Sequence, residues 1–339
     1  MKLLRFLLFP FAILYDLITS IRNFLFDVNI LKSTKFNIPV IVVGNLSVGG
    51  TGKTPQIEYL IKLLQKDNKV AVLSRGYKRK TKGYIVLNDS HSSEEVGDEP
   101  LQFYKKFSTV RVAVDANRAN GIQQLLKANE ATDVILLDDA YQHRKVKAGF
   151  YVLLTKYNDL YSDDFLLPTG NLRESRSGAK RANVIIVTKC PINLSLQEKN
   201  KIQNRLKVES NQQVFFSTIS YSDVIKGKEE LAISTLSTYE VVLVTGIANP
   251  KPMLQFLNSL EVKYHHINFP DHHHFIEKDI EKIISKFNNI TAPKLILTTE
   301  KDYMRLSSKI DDLYFLPIET QFLDKAEKFN KKIEKFVKR

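Results

Sequence analysis

Apolar residues recur along this chain in short, nearly unbroken runs, separated by stretches whose apolar positions follow helical spacing. Residues 38–43, 69–74, 110–114, 132–137, 150–154 and 183–187 each read as a strand buried on both faces. Residues 55–65 and 116–128 read as helices, and the polar stretch 88–98 reads as a mobile loop. Strands alternating with helices predict an α/β fold with a parallel sheet covered on both sides. Residues 192–230, rich in Gln, Asn, Ser and Lys, interrupt this rhythm. It then restarts with strands at 240–244, 264–268, 294–297 and 313–318, helices at 252–260 and 277–287, and a basic helix from 324 onward. Two α/β units are therefore expected, 31–222 and a smaller 223–339, behind a distinct N-terminal segment, 1–30.

That N-terminal segment is rich in Leu, Ile and Phe. Its uncharged core is too short to cross a bilayer, and extending it brings in Arg5, Asp16 and Arg22. No small-residue cleavage site follows, which argues against a signal peptide. Wound as a helix, it gathers Lys2, Arg5, Asp16, Asn23 and Asp27 on one stripe, and the rest of its surface is largely apolar. This is the profile of a helix lying in a membrane interface, kinked at Pro10. Packing of the apolar face on the protein's own core is the alternative.

Composition narrows the partners. The 339 residues are 43% hydrophobic and 26% charged, with a formal charge of +13. Such a basic globular chain suits acidic ligands such as nucleotides or anionic lipid. Its cations are scattered and no nucleic-acid-binding motif is present, so nucleic acid is not an expected partner, nor is an obligate protein partner implied. The lone Cys190 excludes an internal disulfide and reads as a small apolar residue at a strand end.

The clearest chemical signal is Gly49-Gly50-Thr51-Gly52-Lys53-Thr54, set between a strand and a helix. Backbone N–H groups of such a loop cradle phosphates, Lys53 adds a full charge, and Thr54 offers a hydroxyl to Mg²⁺. Ser47 stands where the first glycine of the usual pattern belongs, so this is a variant P-loop. Asp138 and Asp139 end a hydrophobic strand, where a carboxylate pair can ligate Mg²⁺ opposite Thr54. Gln142 and His143 follow close to the phosphates. His265, His266, His272, His273 and His274 are clustered, but adjacent histidines cannot converge on one zinc ion and no cysteine assists. Asp271-His272 instead suggests a polar corner that turns one imidazole toward the cleft between the units. There it could orient a carboxylate base, for which Asp98 and Glu99 are candidates. The loop at Arg173-Glu174 pairs a cation with an anion.

A guanine signature is missing: Thr188-Lys189-Cys190-Pro191 lacks the aspartate that would grip the base. Val48 stands where partitioning ATPases carry a lysine. A membrane-associated nucleotide switch or scaffold ATPase remains open on these grounds alone.

Taken together, the motifs resemble one family, the tetraacyldisaccharide 4′-kinases. The resemblance runs from the apolar N-terminus through Val43-Gly44-Asn45 and the P-loop to Ser74-Arg75-Gly76-Tyr77, Gly97-Asp98-Glu99-Pro100 and Arg118. It continues with Asp138-Asp139, Gln142-His143, Leu172-Arg173-Glu174, Thr245 to Pro250, Asp271-His272-His273 and Thr299-Glu300-Lys301-Asp302. Ala140-Tyr141 replaces the usual Gly-Phe, and Lys78 replaces a usual Gly. The resemblance implies a P-loop domain plus a second α/β/α domain, held at the cytoplasmic face of the inner membrane. It also implies transfer of the ATP γ-phosphate, with Mg²⁺, to the 4′-hydroxyl of a tetraacylated glucosamine disaccharide 1-phosphate, forming lipid IVA. By similarity Asp98 is the base and His272 its orienting partner. Arg75, Tyr77, Arg118, Gln142, His143, Arg173 and Glu174 fall on the substrate-binding positions.

Overall fold

The computed structural model describes residues 5–128 and 130–338. Among these, nine strands form the first sheet. Its parallel centre is built from Val40–Asn45, Val70–Ser74, Arg111–Val114, Val134–Asp138, Phe150–Lys156, Val184–Thr188 and Gln213–Tyr221. Most of these strands are Val- and Ile-rich and are buried almost throughout, as strands covered on both faces must be. The P-loop strand Val40–Asn45 lies between Val134–Asp138 and Phe150–Lys156. Earlier strands build out to one side of it and later strands to the other. The crevice at its carboxyl end is therefore the switch point where α/β sheets bind ligands.

The polar stretch 88–98 is more ordered than its composition suggests. Ser92 and Glu95 form a capping box that starts the short helix Ser93–Val96. Gly97 (φ 94°) then turns the chain directly into a second helix, Asp98–Lys106. A side chain on Gly97 would press on the backbone of Gly76, so glycine fixes both the turn and the contact. Likewise, 192–230 contains the helix Leu196–Leu206 and the strand Gln213–Tyr221.

The second sheet has six strands among the described residues, with Glu240–Thr245, Lys263–Asn268, Lys294–Thr299 and Leu313–Leu316 parallel. The expected last strand at 313–318 is divided at Pro317. Leu313–Leu316 ends in the second sheet, and Ile318–Phe322 pairs antiparallel with Gln213–Tyr221 in the first. The terminal helix Ala326–Val337 then buries Phe329 and Ile333 in the first sheet's core, with Phe329 edge-on to Phe215. The unit expected as 223–339 thus gives its last elements back to the first domain. A basic, amphipathic sequence shows that such a helix has an apolar face but not which sheet will cover it.

The N-terminal helix Phe9–Asp27 follows a 3₁₀ turn at Phe6–Leu8, and Pro10 lies in its first turn. Proline is tolerated there, so it starts the helix instead of kinking it. The polar stripe docks on the protein. Arg5 donates to the carbonyls of Pro168 and Gly170, Asn23 to Glu174, and Arg144 pairs with Asp27 at 2.7 Å. Asp16 instead accepts from Ser20 within the helix, and Lys2 lies outside the described residues. The apolar face points away: Phe11, Ile13, Leu14, Leu17, Ile18, Ile21 and Phe24 are each at least half exposed. Packing of that face on the protein's own core does not occur. The segment Phe6–Asp27 is long and apolar enough to cross a membrane by length and composition.

Replacing Phe329 with alanine should destabilise the nucleotide domain by about 3–5 kcal/mol, the range for a large buried aromatic. Urea unfolding of the variant checks this. A loss below about 1 kcal/mol would mean that the terminal helix is not part of that core.

Candidate active site

The P-loop leaves its strand at Asn45 and enters the helix Lys53–Leu64 through Gly52, whose φ of 86° only glycine adopts without strain. Ser47 fits because its neighbours lie along a second segment: Val48 N–H donates to Asn171 O (2.8 Å) and Arg173 N–H to Leu46 O (2.7 Å). Lys53 donates to Asn45 Oδ1 at 3.2 Å and lies 3.6 Å from Asp139. Thr54 follows in the first helical turn, so a cation, a hydroxyl and the helix's positive end meet at one point.

Asp138 is paired in register with Val43, which brings the carboxylate strand end beside the P-loop. Its Oδ2 accepts from Ser74 Oγ at 2.9 Å. Burial pushes its carboxyl up to about 6, and the charges of Asp139 and Glu99 act in the same direction. Burial also opposes ionisation of Asp139, but Lys53 and Arg173 outweigh it and hold that carboxyl below its ordinary range. Two neighbouring carboxylates are thereby tuned apart, with Asp139 the reliably charged one.

Arg173 and Glu174 do not pair with each other. Arg173 binds Asp139 at 3.1 Å, while Glu174 is buried and binds Arg181 at 2.7 Å. Gln142 Nε2 bridges Asn45 O (2.8 Å) and Glu174 Oε1 (3.0 Å). The N-terminal helix reaches the same segment, because Tyr15 donates to Arg173 O and Asn23 to Glu174 Oε2. Tyr141, in place of the usual Phe, is buried and donates its hydroxyl to Gly178 O at 2.9 Å, so the change is accommodated.

Arg118 was expected at a substrate contact. It is instead 2% exposed and donates to the carbonyls of Asp115, Ala116 and Asp138, bracing two strand ends from behind. His143 is half-buried, and burial together with nearby cations pushes its imidazole down to about 4. It is therefore neutral at physiological pH. Arg75 and Tyr77 are exposed at the rim, where Tyr77 meets the His272 ring edge-on. Lys78 has φ 61°, the left-handed conformation that explains why glycine is usual there.

Across the cleft, the second unit closes on the first. Asp98 is 8% exposed, and its Oδ2 lies 3.2 Å from His272 Nδ1 and 3.6 Å from Arg305 Nε. Arg305 is held by Asp302 at 2.6 Å, and Asp302 accepts the Gly246 N–H at 2.9 Å. His272 sits in a left-handed turn (φ 57°) whose N–H donates to Gly246 O. Asp98 and His272, 174 positions apart, thus come together without any further closure.

Several site residues escape a reading of sequence alone. Arg305 could have been found one helical turn beyond Lys301. Lys156 and Lys189 end apolar strands as Asp138 does, and both reach the P-loop: Lys189 donates to Gly50 O (2.9 Å), and a Cβ on Gly49 would sit 3.7 Å from Lys156 Nζ. Ser74 carries no comparable signal, since only the sheet order places it against Asp138.

Residues 4–338 match the family model described as tetraacyldisaccharide-1-P 4′-kinase. A tetraacyldisaccharide 4′-kinase of Flavobacterium johnsoniae is 56% identical over 100% of this chain and 98% of its own length. One from Bacteroides thetaiotaomicron is 44% identical over 98% and 93%. Among solved structures, LpxK from Aquifex aeolicus, crystallised with ATP, is 32% identical with a TM-score of 0.78, covering 98% of this chain and 99% of that one. With whole-length similarity in sequence and in fold, this chain belongs to the tetraacyldisaccharide-1-P 4′-kinase family.

Proposed function

We propose that the protein transfers the γ-phosphate of ATP to the 4′-hydroxyl of a tetraacylated glucosamine disaccharide 1-phosphate. The observation that carries this reading is the Asp98–His272 pair at 3.2 Å, set beside a P-loop. A nucleotide switch needs the loop but has no use for a paired carboxylate waiting at the cleft.

Phosphoryl transfer asks the protein mainly for positioning and for cations around the transferred group. Lys53 and the loop amides hold the triphosphate, and Arg173, carried next to Asp139, faces the same charge. Asp98 accepts the hydroxyl proton as the new P–O bond forms and the P–O bond between the β- and γ-phosphates breaks to release ADP, while His272 holds the carboxylate oriented through Nδ1. Arg75 and Tyr77, exposed at the rim, are placed to meet the sugar phosphate. Among the described residues no cluster of three or more His, Cys, Asp or Glu could hold a metal by itself. That suits Mg²⁺, which takes one or two protein oxygens and keeps water and phosphate oxygens. Thr54 and the ionised Asp139, with Asp138 behind it, are the oxygen donors for it. When bound, Mg²⁺ would neutralise negative charge on the transferred phosphate.

The substrate is an anionic lipid, and the exposed face of the N-terminal helix fits a bilayer surface. Its polar residues hold it against the protein at both ends and in the middle, which supports a helix lying in the interface. The net charge of +13 suits the anionic cytoplasmic leaflet of the inner membrane, where ATP is also available.

With radiolabelled ATP and the lipid disaccharide, label should appear in the lipid. Lys53→Ala and Asp139→Asn should each lower kcat by about 10²-fold or more while the proteins remain folded. Hydrolysis without labelled lipid would instead make the protein a switch, and near-normal turnover in either variant would refute its assigned role.

Asp98→Ala should lower kcat by about 10²–10⁴-fold with little change in ATP binding, and His272→Ala by less. Once the base is gone, its orienting partner matters little, so the double variant should resemble Asp98→Ala. Fully additive losses in this cycle would show the two acting independently.

Replacing Leu14, Ile18 and Ile21 with glutamate leaves the docked side of the helix intact. It should abolish flotation with anionic vesicles and raise the KM for lipid, with the KM for ATP unchanged. Equal flotation of variant and parent would remove the helix from membrane binding.

A further inference from the structure

The helix Glu300–Leu306 brings a further side chain to the Asp98–His272 pair. Lys301 Nζ lies 3.0 Å from His272 Nε2 and 2.9 Å from Glu99 Oε1. An ammonium group carries three N–H donors and no acceptor, so the contact is satisfied only if Nε2 accepts. The single hydrogen of a neutral ring then sits on Nδ1, and Nδ1 is the atom facing Asp98 Oδ2. The network thus leaves one tautomer consistent with all its donors and acceptors.

We propose that Lys301 is a positioning residue for phosphoryl transfer, which fixes His272 as the Nδ1–H tautomer and so keeps its ring N–H on the atom that faces Asp98. This rests on the reading of Asp98 as the base. A doubly protonated His272 would form an ion pair with Asp98 and weaken it as a proton acceptor. Protonating Nε2 would also set two cations 3.0 Å apart in a site where Lys301 is only 23% exposed. The hydroxyl proton therefore goes to the Asp98 carboxylate, and His272 keeps its own.

Lys301 is itself held from both sides. Glu99 anchors its ammonium from the residue next to the base. Thr299 caps its helix through Asp302 N–H, while Asp302 accepts from Gly246 N–H. The other groups facing the pair are Arg305, on the Asp98 side, and the Tyr77 ring, on the His272 side. Neither offers an acceptor that would draw the ring hydrogen to Nε2 in place of Lys301.

The test is ¹⁵N-edited NMR of ring-labelled full-length protein, with the His272 signals assigned from His272→Gln, alongside kinetics. Near pH 7 the parent protein should show Nδ1 protonated and Nε2 bare. In Lys301→Met, the bare-nitrogen signal of Nε2 should be lost, because nothing then holds the ring hydrogen on Nδ1. In that variant kcat should drop about tenfold, with ATP KM within about twofold of the parent. Lys301→Arg, which keeps a donor, should recover both the bare Nε2 and most of kcat. A protonated Nε2 in the parent protein would overturn the proposal. So would a loss of activity in Lys301→Met with parental ring signals, since Lys301 would then act only through Glu99. Unchanged kcat in Asp98→Ala would bring down the reading of Asp98 as base, whichever tautomer the ring adopts.

Discussion

The arrangement of this molecule depends on one helix-to-helix contact, Glu300–Leu306 of the second unit against Asp98–Lys106 of the first. Lys106 is clamped between Glu58 at 2.7 Å, on the P-loop helix, and Glu300 at 2.8 Å. Both carboxylates are almost fully buried, and burial pushes Glu58 up to about 7 and Glu300 in the same direction. Such a triad is tolerable only when complete, because stranding a buried charge costs about 3–5 kcal/mol. The two units therefore cannot part at this point without leaving an unpaired ion behind. The same contact aims His272 and Arg305 at Asp98. The geometry of the cleft is in this sense a by-product of an ion triad that itself touches no substrate.

The N-terminal helix reverses the usual arrangement of an amphipathic surface helix. Its polar residues face the protein and its apolar residues face outward. Its docking partners are the segments that carry Arg173 and Glu174, one bond network away from Asp139 and Asn45. Whatever fixes this helix at a surface also fixes the orientation of the phosphate end of the site.

Much of this was legible in the sequence, for identifiable reasons. Strands buried on both faces announce themselves as unbroken apolar runs, and the P-loop needs particular residues at particular offsets, so both could be read locally. The alternation of runs and helices also gave the sheet's direction, and hence the edge where Lys53 and Asp138 would meet. Legibility failed where the deciding partner is distant. The strand Ile318–Phe322 looks like a continuation of Leu313–Leu316 until Pro317 is seen to hand the chain to another sheet. Arg118 looks like a substrate contact until three backbone carbonyls surround it. Conversely, polar composition at 88–98 concealed a capping box whose Ser-x-x-Glu spacing was available to be read.

The crossing of the chain at Tyr221 and again at Ile318 has a consequence for synthesis. The first sheet lacks its edge strand, and its core lacks Phe329 and Ile333, until residues 318–337 leave the ribosome. In the interval the strand Gln213–Tyr221 is an open edge beside uncovered aromatic side chains, the kind of surface that recruits other nascent chains. The inserted unit, whose sheet is complete by Leu316, can fold first, although it is encoded later. Vectorial production thus favours an order in which the inner unit matures before the outer one closes. A nucleotide-binding core is then assembled only on chains in which residues 318–337 have already been made.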